Sequence, residues 1–574
     1  KTYLDLAWRY LLHCHPHDTV AGCGVDKVER DAMYRLDQVK ALSDVVLDDA
    51  LSALILKIDT KKVKEIEVVL TVFNPLPRKR TEVVDAYVDI SHNSEIIDFE
   101  LADLDGKAVD WHFVYRKPAE KTVRDNSDLT MALVGWTCKI QFMAEDVPPM
   151  GWKTYVVRSA KATGRMERLA TSPHHMENEF LAVDVQPDGT IDMTDKKAGR
   201  TYTGLHYFVD EGENGNSWEH RPPAKDRKVS SRGFACETTL EENTALSATI
   251  RTKITMRVPS GIIHDDTYHW GRRGDREEDV VLESFFTLRK GSKRLDVKTE
   301  VENNALSHRL RVNFPTNLKD AKKSSAEMPF DVVERGIVRD KNHSYAQAPN
   351  PNHPMRRFVD VSDGKQELAI ITEGLHEYEV TDEPSRTIAV SMLRAYLVTL
   401  CTVSFRWERR PDQELSQVLG RFTTRYSICP HTGDWEKGNV LQETEDFHLP
   451  LIPGQSSRNE QGDWPTMGSL LEVTPDPVVV SALKQSERGE KMIVRLYNSA
   501  TKAVQAKVAL PRDVGRARTL NMNEEPADGP SLKAEGNTVS LRITPKKVVT
   551  IEVDFKGPAR PIAKKSGANT GEVL

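Results

Sequence analysis

The sequence predicts a mainly β fold, with a short N-terminal helical-bundle segment followed by stacked antiparallel β-sandwich domains. Three observations predict it. Helical periodicity is confined to about the first 60 residues. Short strand-like runs separated by turn signals then recur almost to the end of the chain. At about 150 residues per domain, the 574 residues are also enough for several domains.

The helical segment shows one long amphipathic pattern. Between residues 25 and 46, apolar side chains recur every three or four residues and charged side chains fill the opposite face, as in a helix on the edge of a bundle. The helical pattern continues through residues 50–58. The apolar positions are Val25, Val28, Ala32, Leu36, Val39, Leu42 and Val46.

The strand-like part begins with the apolar run 66–73, which Asn74-Pro75-Leu76-Pro77 stops. The runs 180–185 and 190–194 flank Asp188-Gly189 and predict a β-hairpin. Many similar short runs follow with almost no helical pattern, which is typical of β-sandwiches.

Two polar stretches, at 160–172 and 453–466, suggest domain boundaries. We therefore predict a helical-bundle segment over 1–62, a small β-sandwich over 63–165 and a large β-sandwich over 166–455. A C-terminal β-sandwich over 456–556 and a mobile tail over 557–574 complete the prediction.

Charge and cysteine content exclude several classes of protein. The chain has 80 Lys and Arg against 86 Asp and Glu, a net charge of −6, so we expect neither nucleic acid nor membrane as a partner. No apolar run approaches the roughly 18 residues of a membrane span. Six scattered cysteines predict reduced thiols and a cytoplasmic location. Because Lys1 enters directly on a helical pattern without an initiator Met, we expect a piece of a longer protein.

The densest group of chemically active residues lies at 13–18. His13, Cys14, His15, His17 and Asp18 are all possible metal ligands. Pro16 stiffens the segment, so these side chains cannot all converge on one ion. Two alternatives remain: a helix junction in which they pack and cap, or one His that reaches a metal site whose other ligands lie elsewhere.

Residues 15–28, His-Pro-His-Asp-Thr-Val-Ala-Gly-Cys-Gly-Val-Asp-Lys-Val, resemble the His-Asp motif of the glycoside hydrolase family 38 α-mannosidases. Further matches, which resemble the bacterial or archaeal branch, follow in order along nearly the whole chain. They lie at 72–77, 177–181, 207–210, 309–316, 329–335, 357–364, 430–435 and 523–526.

The resemblance implies a retaining exo-glycosidase with an Asp nucleophile, a second carboxylic acid as acid/base, and a zinc ion that grips two mannose hydroxyls. His17 falls on a zinc ligand of the motif and Asp18 on its substrate-facing neighbour. The family's catalytic barrel would precede Lys1, and no Asp in this chain matches the nucleophile motif. We therefore expect no catalytic residue here and no hydrolysis by this chain alone.

Two further stretches are candidates for sugar contacts. Residues 210–219 combine acids, amides and Trp218, which suits either a sugar-binding loop or an ordinary polar loop. Arg394 resembles a family arginine that reaches the active site, although by itself it is equally a strand-end arginine. Trp111 and Trp270 are expected to be rim or core aromatics, and His264-Asp265-Asp266 a solvated loop.

The resulting hypothesis is part of a zinc-dependent exo-α-mannosidase that removes non-reducing terminal α-mannosyl residues. Its partner would be an α-mannoside or oligosaccharide, with a homo-oligomer possible. The alternative is a non-catalytic carbohydrate-binding or scaffold chain of the same architecture. A third possibility is a family hydrolase that acts on another α-mannoside, such as mannosylglycerate.

Overall fold

The computed structural model describes residues 2–92, 94, 96, 98–119, 122–124, 130–132, 134–160, 168–339, 349–401, 406–557 and 561–562. Within these ranges the chain is mainly β, and its sheets are antiparallel, which confirms the predicted fold class. Three helices precede the first strand. One more helix, at residues 440–448, follows the strands of the large β-sandwich described below.

The N-terminal helices are α1 (Thr2–Leu12), α2 (His17–Val20) and α3 (Asp26–Ile55). The long α3 confirms the amphipathic pattern, and α1 packs along it. Few side chains of this segment are buried, among them Ala7, Cys14 and Ala32. The Cys14 thiol donates to the carbonyl of Ala32 and ties the end of α1 to α3. Apolar side chains left exposed include Tyr3, Leu4, Trp8, Leu12, Met33 and Tyr34.

The first β-sandwich packs a sheet of order β3-β8-β1 against the sheet β2-β7-β4. Inward side chains such as Val72, Phe142 and Tyr155 form its core. Strand β1 ends at Asn74, where the Asn-Pro-Leu-Pro run predicts a stop. The strands are β1 (Val68–Asn74), β2 (Arg80–Ser91), β3 (Phe99–Asp103), β4 (Trp111–Pro118), β5 (Thr122–Arg124), β6 (Thr130–Ala132), β7 (Gly135–Val147) and β8 (Gly151–Ser159).

The large β-sandwich contains strands β9 to β32. A nine-stranded sheet (β16-β17-β20-β21-β32-β27-β26-β23-β24), a six-stranded sheet (β15-β14-β22-β29-β28-β25) and a five-stranded sheet (β13-β12-β11-β10-β9) share one core. The predicted hairpin is β11–β12, in which Val185 pairs with Ile191 and Gly189 has φ of 79°.

The strands of this sandwich are β9 (Ala170–Ser172), β10 (His175–Glu177), β11 (Leu181–Val185), β12 (Ile191–Asp195), β13 (Arg200–Leu205), β14 (Tyr207–Gly212), β15 (Val229–Ser230), β16 (Cys236–Asn243), β17 (Ser247–Pro259), β18 (Ile262–His264), β19 (Gly271–Arg273), β20 (Glu277–Arg289), β21 (Leu295–Asn303), β22 (His308–Phe314), β23 (Lys323–Met328), β24 (Asp331–Gly336), β25 (Asn352–Pro354), β26 (Phe358–Ser362), β27 (Glu367–Glu373), β28 (Glu377–Val380), β29 (Ile388–Arg394), β30 (Val398–Cys401), β31 (Arg406–Arg409) and β32 (Gly420–His431).

After β32 the chain returns to the first β-sandwich. Helix α4 (Val440–His448), which the sequence pattern does not predict, packs Val440, Leu441 and Phe447 onto the large sheet. Strands β33 (Ile452–Ser456) and β34 (Met467–Ser469) then pair with β1 and β8. The predicted domain boundaries stay predictions. They do not include the pairing of β33, which crosses the predicted boundary at 455, and of β34, which follows it, with strands of the first β-sandwich.

The C-terminal β-sandwich has two four-stranded sheets, β35-β38-β41-β40 and β36-β37-β42-β39, around a common apolar core. The predicted tail 557–574 lies outside the described residues except for 557 and 561–562. The strands are β35 (Glu472–Thr474), β36 (Val478–Gln485), β37 (Met492–Asn498), β38 (Val504–Ala509), β39 (Asp513–Leu520), β40 (Lys533–Glu535), β41 (Thr538–Ile543) and β42 (Val548–Lys556).

None of the described helices combines the length and the apolar character that a bilayer crossing requires. The cysteines whose side chains the structure describes are free thiols: Cys14, Cys23, Cys138, Cys236 and Cys429.

Candidate functional site

The segment between α2 and α3 is fixed against the large β-sandwich. The hydroxyl of Tyr396, just after β29, donates to the carbonyl of Gly22. The side-chain amide of Gln413 donates to the carbonyl of Gly24 at 3.3 Å. The thiol of Cys23 donates to the carbonyl of Ser217 at 3.5 Å. The His-Asp motif is therefore held in place by residues about 200 and about 370 positions further along the chain.

Arg394, the last residue of β29, organises the loop that contains Ser217. Its guanidinium donates to the carbonyls of Asn216 at 2.7 Å and Ser217 at 3.1 Å. It also lies 3.6 Å from the carboxylate of Glu213, which accepts a hydrogen bond from the His220 ring at 2.6 Å. Arg394 thus acts on the candidate site by holding the 213–220 loop.

The acids of β14, the strand that leads into that loop, are buried and paired. Asp210 lies between the guanidinium of Arg273, at 2.7 Å, and the ring of His308, at 2.5 Å. Burial would raise the pKa of Glu211, but the guanidinium groups of Arg311 and Arg309 outweigh it and hold that pKa at about 2. These carboxylates therefore build the loop rather than face a sugar.

Trp218 is the large side chain that the same loop leaves open. The residue is 48% exposed, while its backbone N–H donates to the Asn216 side chain. Because Asn216 and Ser217 are fixed by Arg394, the exposed indole stands on a rigid base. An exposed aromatic face of this kind can stack on the apolar face of a sugar ring.

His17 and Asp18 lie in α2 with their side chains 95% and 61% exposed, and the His17 Nε2 is 3.4 Å from an Asp18 carboxylate oxygen. An imidazole nitrogen and a carboxylate oxygen are both suitable zinc donors. The described residues contain no group of three or more His, Cys, Asp or Glu that could hold a metal. This pair can therefore provide part of a zinc site but does not complete one.

The structure brings the separately predicted residues into one region. Cys23 lies between them. Its thiol donates to the loop that carries Trp218 and interacts electrostatically with the Asp18 carboxylate and the Arg394 guanidinium. Burial, with the Asp18 charge, raises the pKa of the Cys23 thiol. It is therefore a protonated thiol that links two segments.

Other residues of this region carried no sequence signal. Tyr396 and Gln413 belong to it only because the fold returns them to α2. Asn214 donates to the carbonyl of His269, whose ring lies 4.6 Å from that of Trp407. The hairpin β18–β19 thereby joins the loop and presents Trp270 at 68% exposure.

The remaining aromatic and acidic candidates have ordinary structural roles. Asp265 accepts hydrogen bonds from Thr267 and from the backbone of Trp270, as a turn residue does. Trp111 stacks on Phe99 at the edge of the first core.

Two family models match the chain. Residues 176–401 match the glycosyl hydrolases family 38 C-terminal domain, and residues 477–551 match the family 38 C-terminal beta sandwich domain. Together they cover more than half of the chain. The chain belongs to glycosyl hydrolase family 38.

Individual relatives extend the similarity to almost the whole chain. A putative mannosylglycerate hydrolase of Halalkalibacterium halodurans is 23% identical over 96% of this chain and 63% of its own length. Human alpha-mannosidase 2C1 is 22% identical over 45% of this chain and 23% of its own length. The crystal structure of an alpha-mannosidase from Enterococcus faecalis V583 superposes with a TM-score of 0.86 at 23% identity, over 96% of this chain and 63% of that one. The chain thus spans under two thirds of the length of these family 38 relatives.

Proposed function

We propose that this family 38 chain is part of a zinc-dependent retaining exo-α-mannosidase that hydrolyses non-reducing terminal α-mannosyl residues. The observation that carries the proposal is the docking of the His17–Asp18 segment onto the loop that Arg394 holds. A solvent-facing pair of metal donors and an exposed indole are thereby fixed in one region.

In this proposal His17 is a zinc ligand and Asp18 faces the substrate. A bound zinc ion would act as a Lewis acid that holds and orients sugar hydroxyls. The other ligands and the catalytic carboxylates would come from protein outside this chain, which supplies no catalytic residue of its own. The relatives, which are longer, are consistent with such a part.

The outer face of the helical segment also supports a longer protein. Trp8, Leu12 and Tyr34 are each more than half exposed on α1 and α3. Several large apolar side chains left exposed on two packed helices are typical of a surface that contacts other protein. We propose that the part of the enzyme that carries the nucleophile covers these helices.

The chain's own residues would bind and orient the substrate. Trp218 would stack on a sugar ring beside the scissile bond, and Arg394 would keep that indole in place through its hydrogen bonds to Asn216 and Ser217. Glu213 and His220 would hold the other side of the loop.

The test uses the natural polypeptide that contains these residues, assayed with 4-nitrophenyl α-mannoside and with mannosylglycerate, the anomer released being followed by proton NMR. We expect a mass above 64.7 kDa and release of α-mannose with retained configuration. Cleavage of mannosylglycerate alone would identify a narrower substrate. A mass of 64.7 kDa without hydrolysis of either compound would contradict the proposal and favour the non-catalytic alternative.

A further inference from the structure

A cavity lies between the first β-sandwich, the large β-sandwich and α4. Its volume is about 520 Å³, which is within the usual range of about 300–1,000 Å³ for ligand pockets. Its wall includes β2, the turn between β20 and β21, and the C-terminal half of α4. Nothing in the proposed mannosidase reaction uses it.

The cavity is remote from the region of His17. Strand β20 connects the two: at one end Glu277 pairs with Pro259, whose carbonyl accepts from Arg273, the partner of Asp210. At the other end Arg289 lines the cavity. Thirteen residues of strand span about 40 Å.

One hydrogen-bond donor in the cavity wall has no acceptor. The Nη2 of Arg289 donates to Asp85, whereas its Nη1 is buried and has no hydrogen-bond partner among the described residues. A buried donor left unpaired is unfavourable, so a ligand acceptor at this position would be stabilising. Nearby Lys293 is exposed and makes no ion pair with a described residue. This side of the cavity therefore offers donors that need an acceptor.

Another part of the wall carries carboxylate acceptors, of which Asp446 also pairs with Arg78. Glu82 and Asp446 both pair with Arg80, at 2.7 and 2.9 Å. Burial, together with the Asp446 charge, raises the pKa of Glu82 despite that guanidinium. Further negative charge would be unfavourable here, so the cavity does not suit a phosphate or sulfate ion.

A hydroxyl group is both a donor and an acceptor and carries no charge. We propose that this cavity binds a neutral saccharide of one or two rings. Its hydroxyls accept from Arg289 and Lys293 and donate to Glu82 and Asp446. This accessory carbohydrate site is independent of the proposed catalytic role, since it lies about 40 Å away along β20.

The experiment is saturation-transfer NMR and calorimetric titration of the 574-residue chain with α-mannobiose and maltose, and calorimetric titration with inorganic phosphate. The variant Arg289→Lys keeps the ion pair with Asp85 but cannot place a donor at the Nη1 position. Lys293→Ala removes an exposed cation whose ammonium group, among the described residues, contacts the Phe180 ring and forms no ion pair. Arg251→Lys is the matched control. Like Arg289, Arg251 is an arginine of the nine-stranded sheet that pairs with carboxylates, but it does not line the cavity.

We expect one of the two disaccharides to bind, with affinity reduced about 10-fold in Arg289→Lys and Lys293→Ala and unchanged in Arg251→Lys. Absence of saccharide binding would overturn the proposal, as would binding of inorganic phosphate in place of sugar. Trp218→Ala separates the two sites. Binding that Trp218→Ala abolishes and Arg289→Lys preserves would assign the sugar to the Trp218 loop, against the cavity and in favour of the proposed mannosidase role.

Discussion

At the scale of single residues, buried ion pairs fix the loop that presents Trp218. Asp210 and Glu211 are consecutive residues of β14 with different partners. Glu211 pairs with Arg309 and Arg311. Asp210 pairs with Arg273. Each pair joins two strands or a strand and a hairpin. Buried ion pairs therefore fix the conformation of the loop, and Trp218 lies on its exposed surface.

Replacing Glu211 by Gln should reduce stability at neutral pH and change its pH dependence. Because the pKa of Glu211 is about 2 in the folded chain against 4.5 in the unfolded one, its ionised form stabilises the fold above pH 4.5. That contribution, about 3 kcal/mol, disappears as the pH falls towards 2. Calorimetric Tm values between pH 2 and 7 should show a shallower acid-side decline for Glu211→Gln. The exposed Glu237→Gln is the control, and equal slopes in both variants would contradict the assignment.

Replacing Arg394 by Ala should loosen the Trp218 loop. The carbonyls of Asn216 and Ser217 lose their charged donor, at a cost of about 1–3 kcal/mol. Hydrogen exchange of the amides at 214–219 should accelerate, while the strands of the large core stay protected. Arg409→Ala, an exposed arginine on β31, provides the comparison. If both variants exchanged alike at 214–219, Arg394 would have no such holding role.

At the scale of elements, the sequence pattern predicts helices and hairpins whose residues are close together in the chain. The pattern at 25–46 predicts α3 because its stripe repeats for six turns, and Asp188-Gly189 predicts the β11–β12 hairpin because its turn chemistry is local. Helix α4 is missed because its nine residues are mostly polar and its apolar side chains contact sheet residues far away in sequence. Contacts such as Tyr396 to Gly22 cannot be predicted at all, since they arise only when distant strands are brought together.

Helices α1 and α3 should be the least protected elements of the 574-residue chain. Their outer faces are exposed, and α1 makes its largest set of contacts with α3 alone. We expect amides of α1 to exchange at least about 100-fold faster than those of β20. In a longer natural polypeptide the difference should shrink if, as proposed, the additional part covers α1. Equal protection of α1 and β20 in the 574-residue chain would contradict the open face.

At the scale of the whole molecule, an ion-pair cluster couples the first β-sandwich to α4 and the large β-sandwich. Arg80 contacts Glu82 and Asp446, and Arg294 contacts Glu443 at 2.8 Å. The strands β33 and β34 add backbone pairing across the same junction. The β-sandwiches should therefore unfold together.

Replacing Arg80 by Ala should separate their unfolding. The guanidinium is almost fully buried, and its loss leaves Glu82 without its paired cation and Asp446 with Arg78 alone, at about 3–5 kcal/mol. Calorimetry should resolve an additional, lower-temperature transition. The adjacent Lys79→Ala, which removes only an exposed pair with Asp146, should leave a single transition. A single transition in Arg80→Ala at an unchanged temperature would show that the backbone pairing alone couples the domains.

The most direct test of the central claim is the zinc content of the natural polypeptide, measured by mass spectrometry of the metal after exhaustive dialysis. His17→Ala is compared with His15→Ala, an exposed histidine of the same segment. We predict about one zinc per chain in the parent and in His15→Ala, and its loss in His17→Ala. Equal zinc content in both variants would contradict the assignment of His17 as a ligand and, with it, the proposal that this region is the metal-bearing site.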